Sequence, residues 1–350
     1  MTTSFTQTDE QIERLKNAAT VLLSAKVQAF EAVGGGRNSR VYRLSVDPSH
    51  SYALKAYFRD PSDSRSRMRT EFASLSFLWQ NGVRNVPKPL FSSQEHSCAI
   101  FEWIEGHRIG PDDVTEKELY SATRFLSCLA GLRSRTGSES LEPASEACFS
   151  GRAIVENLGR RLNPLLAEQD SPDLRTFLTS ELVPAFERIS TWSRRRLGAA
   201  YDAELSLQER TLSPSDFGFH NALRRESGEV VFLDFEYFGW DDPAKTISDF
   251  LLHPAMNLSS TFKHQFASSV IEYFSGKTSL PGRLETFYPL FGLKWCLILL
   301  NEFLPDQLRR RRFAGMNDRD RRQRQAEQLA KAKHMLGNTL LEYEHFPYTN

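Results

Sequence analysis

Two carboxylates and one amide, Asp216, Asn221 and Asp234, fall within the stretch LSPSDFGFHNALRRESGEVVFLDFEYFGWDDP, residues 212–243. Ala222–Arg225 and Val230–Asp234 have the composition of short strands, and Glu226-Ser227-Gly228-Glu229 between them is a turn sequence. Pairing these strands brings Asn221 beside Asp234, so an amide oxygen and a carboxylate oxygen converge as hard ligands of Mg²⁺ should. Asp216 lies on the loop leading into the hairpin and can face the same point. An Asp/Asn-rich turn ahead of a purely structural hairpin has the same composition.

Other residue types with chemical use lie further toward the amino terminus. Gly34-Gly35-Gly36-Arg37-Asn38-Ser39 separates two strand-like runs. Without Cβ atoms its backbone amides can approach a phosphate closely, although a Gly-rich hairpin turn reads the same way. The cluster is not G-x-G-x-x-G and no helix follows it, which excludes a Rossmann dinucleotide site. Lys55 interrupts the apolar strand Tyr52-Ala53-Leu54-Lys55-Ala56-Tyr57, where a lysine either snorkels to the surface or meets an anion. Glu71 follows in the helical pattern RMRTEFASLSFLW, residues 67–79, and a surface salt bridge with Lys55 is the plainest pairing of the two.

The elements that must position these groups change character along the chain. Thr8–Leu23 reads as an amphipathic helix, and strand periodicity then runs from Lys26 to Gly106, ending in Phe101-Glu102-Trp103-Ile104-Glu105-Gly106. That end, an apolar strand stopping at Glu-Gly, suits a connector between domains. Beyond Gly110 the period is mainly helical: Glu116–Leu132 with a cap near Thr115, Arg152–Glu168, Pro172–Leu197, Asp249–Met256, Phe262–Phe274, Leu284–Phe303 and Asp318–Leu336. Two domains are therefore expected, residues 1–106 and residues 107–350, as a chain of 350 residues also favours.

Composition narrows the function classes. Lys+Arg and Asp+Glu both number 44, so bulk charge points to no polyanionic partner. Cys98, Cys128, Cys148 and Cys296 show no Cys-x2-Cys pairing, which argues against a zinc site or disulfide framework and for reduced thiols. The amino terminus lacks a basic start and an apolar run, and no span approaches the roughly 20 apolar residues of a membrane helix. A soluble, cytoplasmic protein without a membrane partner is expected.

Taken together, Gly34–Ser39, Lys55, Glu71, the Glu102–Gly106 connector, Asp216, Asn221 and Asp234 occur in an order that resembles the aminoglycoside phosphotransferase/choline kinase family, over roughly residues 26 to 255. Asp234-Phe235-Glu236-Tyr237 is similar to the Asp-Phe-Glu-Tyr of choline and ethanolamine kinases, and no Ala-Pro-Glu segment follows as in protein kinases. The resemblance implies an α+β, bilobal protein-kinase-like fold with a small β-rich amino-terminal lobe and a larger, mainly helical carboxy-terminal lobe. It implies an ATP- and Mg²⁺-dependent phosphotransferase acting on a hydroxyl of a small molecule such as an amino sugar, sugar or amino alcohol. Asp216 would orient that hydroxyl, and Asn221 and Asp234 would bind Mg²⁺. Gly35, Gly36 and Ser39 would cover the nucleotide, Lys55 held by Glu71 would contact phosphates, and the connector at Glu102 and Ile104 would offer backbone groups to adenine. A nucleotide-binding scaffold of the same fold without turnover is the alternative.

The sequence departs from the family where His-Gly-Asp is usual: here it is Pro214-Ser215-Asp216, and Gly218 replaces the His or similar residue common two places after the Asp. A rebuilt loop with retained chemistry is expected. His220 reads as a loop histidine beside Asn221, since Asp216 already fills the base role. For the acceptor, Glu236, Trp295 and Glu302 are candidates; Trp295 with Glu302 can hold an ammonium group, or belong to a buried structural network. Arg309–Arg312 with Arg319, Arg321, Arg322 and Arg324 form a basic segment without interleaved aromatics, read as a solvated face rather than a nucleic-acid surface.

Overall fold

The computed structural model describes residues 3–34, 39–58, 66–274, 276, 278–305 and 321–348. They divide into two compact units. One takes the described residues up to Arg108 together with Ala222–Tyr237; the other takes those of Ile109–Asn221, Phe238–Leu308 and Asp318–Asn350.

The first unit is built on five antiparallel strands, β1 (Ala29–Val33), β2 (Ser39–Asp47), β3 (His50–Tyr57), β4 (Pro89–Ser93) and β5 (Cys98–Glu102), in the order β1-β2-β3-β5-β4. β3 is central, and its pairing sets Lys55 opposite Val41 on one side and Ala99 on the other. Helix α1 (Thr3–Leu23) shares an apolar core, through Leu15 and Ala19, with Val27 and with Tyr42, Leu44 and Leu54 of the sheet, a burial that favours folding by about 25 cal/mol per Å² of apolar surface. Helix α2 (Arg67–Gln80) starts at Ser66, whose side chain accepts from the Arg69 amide, and it packs on β4 and β5 with Glu71 buried. The hairpin of β8 (Ala222–Arg224) and β9 (Val230–Phe232) pairs Ala222 with Phe232 and Arg224 with Val230. Gly228 supplies the φ of +86° that closes the turn. β6 (His107–Arg108) adds a third strand beside β8, and a Cβ on Gly106 would lie 2.7 Å from the Arg224 carbonyl oxygen, so this approach requires glycine.

The second unit is helical. α3 (Glu116–Gly131) opens with a capping box, Thr115 accepting from Lys117 while Glu118 accepts from the Thr115 amide. α4 (Gly151–Leu166) follows. The long helix expected over Pro172–Leu197 is α5 (Pro172–Phe177) and α6 (Val183–Leu197) joined through a π-helical turn, Leu178–Leu182. Pro184 explains the interruption, because it offers no N–H to the preceding turn. α7 (Pro243–Leu252) differs from the expected Asp249–Met256. Asp242 caps it with Pro243 at its first position, and Pro254 drives His253 out of helical geometry, to φ −61° and ψ 121°. α8 (Ser260–Tyr273), α9 (Leu280–Leu299) and α10 (Arg321–Glu342) complete the unit. α9 is buried along nearly its whole length and contacts α4, α6, α7 and α10, with Phe287, Phe291 and Leu297 meeting Leu158, Phe177 and Ala332. A short antiparallel pair, β7 (Thr211–Ser213) with β10 (Gly239–Asp241), carries the segments on either side of the hairpin.

All four cysteines are free. Among the described residues, no helix is long and apolar enough to cross a membrane.

Candidate active site

In the first unit the strand lysine is neither snorkelled nor on the surface. Lys55 is 7% exposed, and its Nζ lies 2.7 Å from Glu71 Oε2, 2.5 Å from Asp234 Oδ1 and 3.4 Å from Glu236 Oε2. Burial works to lower the pKa of this ammonium; Asp234, Glu71 and Glu236 overturn that and hold it well above the ordinary lysine value. Glu71 is itself fixed, accepting from the Tyr57 hydroxyl at 2.7 Å and from the Phe235 amide at 3.1 Å. Glu236 is buried, and desolvation first, then Asp234, raises its pKa against the pull of Lys55 and Arg67. Arg67 approaches its Oε1 at 3.3 Å and stands over the Tyr237 ring. Oxygens of Glu71, Asp234 and Glu236 all lie within 4.8 Å of one another, a hard-donor set of the kind that takes Mg²⁺. Asp234 is the least buried member, at 36% of its side chain, and it sits at φ +66°, a left-handed conformation that Asp tolerates better than most residues.

At the connector, Glu102 ends β5, accepts from the Lys88 amide at 3.3 Å and meets Arg225 at 3.4 Å. Ile104 is buried, as is Ser39 at the start of β2. Gly35 and Gly36 lie outside the described residues, as do Arg309–Arg312 and Arg319; Arg321, Arg322 and Arg324 begin α10.

In the second unit, the loop Pro214-Ser215-Asp216 is tied to other elements through Ser215. Ser215 adopts φ +68°, the left-handed geometry that a glycine would supply without strain. Its hydroxyl donates to the Ser145 carbonyl and accepts from Lys245 Nζ at 3.1 Å. Lys245, on α7, is buried between Asp241 at 2.6 Å and Asp249 at 3.3 Å. Asp249 also takes Lys294 at 2.7 Å and the Trp295 indole N–H at 3.0 Å. Trp295 is thus tied into a buried network, and Glu302 is buried in the turn after α9. Asp242 holds Arg283 through both guanidinium contacts.

Asp216 itself is half-buried. Burial pushes its carboxyl up, but the hydrogen bonds of His220 and then His253 more than reverse this and leave it well below the usual carboxylate range. His220 Nε2 lies 3.1 Å and His253 Nε2 3.5 Å from the same oxygen, Oδ1. The two imidazoles stack at 3.8 Å, and the Trp295 ring meets His253 edge-on at 4.5 Å. Asn221 donates from its amide nitrogen to the Asp216 carbonyl at 3.0 Å, so its amide oxygen is the atom that could serve as a ligand. His253 and Lys245 are the members of this site that sequence reasoning missed. Pro254 was the available signal for His253, because it ends α7 one residue before the ring turns inward.

No curated protein matches the chain by sequence. Among solved structures, the gentamicin complex of APH(2")-IIa is 18% identical with a TM-score of 0.62, covering 95% of this chain and 98% of that one. Choline kinase LicA from Streptococcus pneumoniae is 14% identical with a TM-score of 0.60, covering 93% and 98%. Spectinomycin phosphotransferase APH(9)-Ia, with ADP and spectinomycin, is 13% identical with a TM-score of 0.61, covering 94% and 98%. The fold is thus the α+β, bilobal protein-kinase-like one, with a β-rich amino-terminal lobe and a larger helical carboxy-terminal lobe. A family model for the phosphotransferase enzyme family matches residues 29–285, and the chain belongs to that family. It is an enzyme, a phosphotransferase with an alcohol group as acceptor.

Proposed function

We propose that this phosphotransferase uses ATP and Mg²⁺ to phosphorylate a hydroxyl of a small molecule of the amino sugar, sugar or amino alcohol class. The observation that carries the reading is the buried Lys55, held between Glu71 and Asp234 at 2.7 and 2.5 Å. Phosphoryl transfer needs little covalent help from the protein; it needs positioned charge. Lys55 holds nucleotide phosphates, and Glu71, anchored by Tyr57 and the Phe235 amide, keeps that ammonium in place. Gly35, Gly36 and Ser39 cover the nucleotide, and the backbone at Glu102 and Ile104 meets the base. Asn221 and Asp234 are the residues that would hold Mg²⁺, which would supply positive charge against that developing on the transferred phosphoryl group. Asp216, kept ionised by its imidazole neighbours, accepts the hydrogen bond of the acceptor hydroxyl and orients it for attack. Residues 1–106 then serve the nucleotide and residues 107–350 the chemistry and the acceptor.

Glu236, Trp295 and Glu302 are proposed as acceptor contacts. Of the three, Trp295 has a described tie to Asp216, through His253. The proteins of similar structure include complexes with gentamicin and with spectinomycin and ADP, and choline kinases, which supports a polar, hydroxyl-bearing acceptor and an adenine nucleotide. Screening hydroxylated metabolites, aminoglycosides, choline and ethanolamine with labelled ATP tests the reading. Transfer of label to one class supports it; a purified protein that binds nucleotide yet labels nothing across the panel counts heavily for the scaffold alternative.

A further inference from the structure

The chemistry just described gives His253 no contact with nucleotide or acceptor, yet its ring is aimed at the residue proposed to orient the acceptor. Its Nδ1 accepts from the Ala255 amide at 3.1 Å. A ring nitrogen that accepts carries no proton, so this hydrogen bond assigns the His253 proton to Nε2, the atom facing Asp216 Oδ1 at 3.5 Å. His220 shows the same arrangement by a different route. Its Nδ1 is buried with no partner, so a proton there would be a buried donor without an acceptor, whereas Nε2 has Oδ1 at 3.1 Å. Both rings therefore present Nε2–H to one carboxylate oxygen.

The surroundings leave these rings little freedom. They stack at 3.8 Å with 6° between planes, and Trp295, itself anchored on Asp249, packs nearly perpendicular to His253 at 4.5 Å. A Cβ at Gly218 would lie 2.8 Å from His220 Nδ1 and 2.6 Å from the Met256 sulfur, so the glycine that replaces a side chain here is what admits the His220 ring.

Resting on the phosphotransfer reading above, we infer that His253 and His220 are positioning residues that together occupy Oδ1 of Asp216, turning its Oδ2 toward the acceptor hydroxyl. Among the described residues, no contact from Oδ2 competes with this role. With glycine at position 218, Oδ1 is met by two rings, one from the catalytic loop and one from the end of α7.

Two measurements on the full chain test the inference. The first, made without nucleotide or acceptor, reads the imidazole tautomers from ¹⁵N shifts: a pyridine-type Nδ1 and protonated Nε2 on both histidines is expected. A His253 protonated on Nδ1 overturns the assignment whether or not the protein is a kinase. The second compares His253→Phe, which keeps a stacked ring without a donor, with His253→Gln, whose amide nitrogen stands where Nε2 was. With gentamicin, choline and water as probe acceptors, His253→Phe should lose roughly tenfold or more in kcat with little change in the KM for ATP, and His253→Gln should recover most of it. Equal activity in the two variants, high or low, overturns the positioning role. A wild-type protein inactive with every acceptor would sink the phosphotransfer reading instead, and the tautomers would still decide the histidine assignment.

Discussion

Single side chains set what the two acidic centres can do. Asp216→Asn keeps size and much of the hydrogen bonding while removing the charge that orients the hydroxyl. Turnover should fall by roughly two or more orders of magnitude with nucleotide affinity nearly unchanged, read from steady-state kinetics alongside a nucleotide titration. Asp234→Asn acts on a metal ligand, so the Mg²⁺ dependence of turnover should shift together with its magnitude. Lys55→Met exposes a different weakness, because it leaves Glu71, Asp234 and Glu236 crowded without their shared ammonium. Removing one partner of a buried ion pair costs about 3–5 kcal/mol. The sign with pH follows from the wild type: a lysine whose folded pKa lies above its unfolded value stabilises fully below the ordinary lysine range and loses that stabilisation only as pH rises through the folded value. The stability gap between variant and wild type should therefore be largest near neutrality and narrow as acid protonates the crowded carboxylates. A gap in denaturant midpoints unchanged between pH 8 and pH 5 would refute the crowding argument.

Helices α7 and α9 are joined through charge as well as through apolar surface. Lys245 sits between Asp241 and Asp249, and although burial opposes its charge, those two carboxylates raise its pKa. Lys294 shares Asp249, but burial, reinforced by the charge of Lys245, prevails and lowers its pKa. The two lysines are therefore not equivalent. Lys245→Met strands Asp241 in the core and frees Ser215 in the loop before Asp216, and should cost about 3–5 kcal/mol. Lys294→Met leaves Asp249 its contacts with Lys245 and the Trp295 indole, and should cost clearly less. Urea unfolding of both variants checks the order, and the reverse order would show that Asp249 depends on Lys294 first.

For the whole molecule, the bulk composition carries no bias, with 44 basic and 44 acidic side chains, so any anion binding must come from local placement of charge. Ligand linkage then offers a measurement that needs no acceptor. A nucleotide held at 100 times its Kd stabilises the folded chain by about 2.7 kcal/mol, and for a kinase using Asp234 as a metal ligand that gain should depend on Mg²⁺. Thermal unfolding with ATP, with and without Mg²⁺, and again in Asp234→Asn, makes the comparison. Strong stabilisation that ignores both Mg²⁺ and the substitution would favour a nucleotide-binding scaffold.

What could be read from the chain alone is what neighbouring residues decide. The Thr115 capping box, the turn at Gly228 and the strand carrying Lys55 each depend on a few adjacent residues, and each appears where its local chemistry places it. The order of Lys55, Glu71, Asp216, Asn221 and Asp234 belongs to the same level, and it was enough to suggest the family. The tertiary structure decided what those side chains meet. Lys55 reaches Asp234 across 179 residues of sequence, a contact that spacing alone does not specify. Ser215, in the loop where a rebuilt geometry was expected, accepts from Lys245 on α7, a contact between distant elements that the loop sequence does not specify. His253 lay inside an expected helix until Asp242 and Pro254 set the true ends of α7, and those ends, not periodicity, aim its ring at Asp216. Local sequence chooses the elements because turns, caps and strands are short-range events. Which buried charges find each other is settled only when distant elements pack, since desolvation penalises every arrangement that leaves one of them alone.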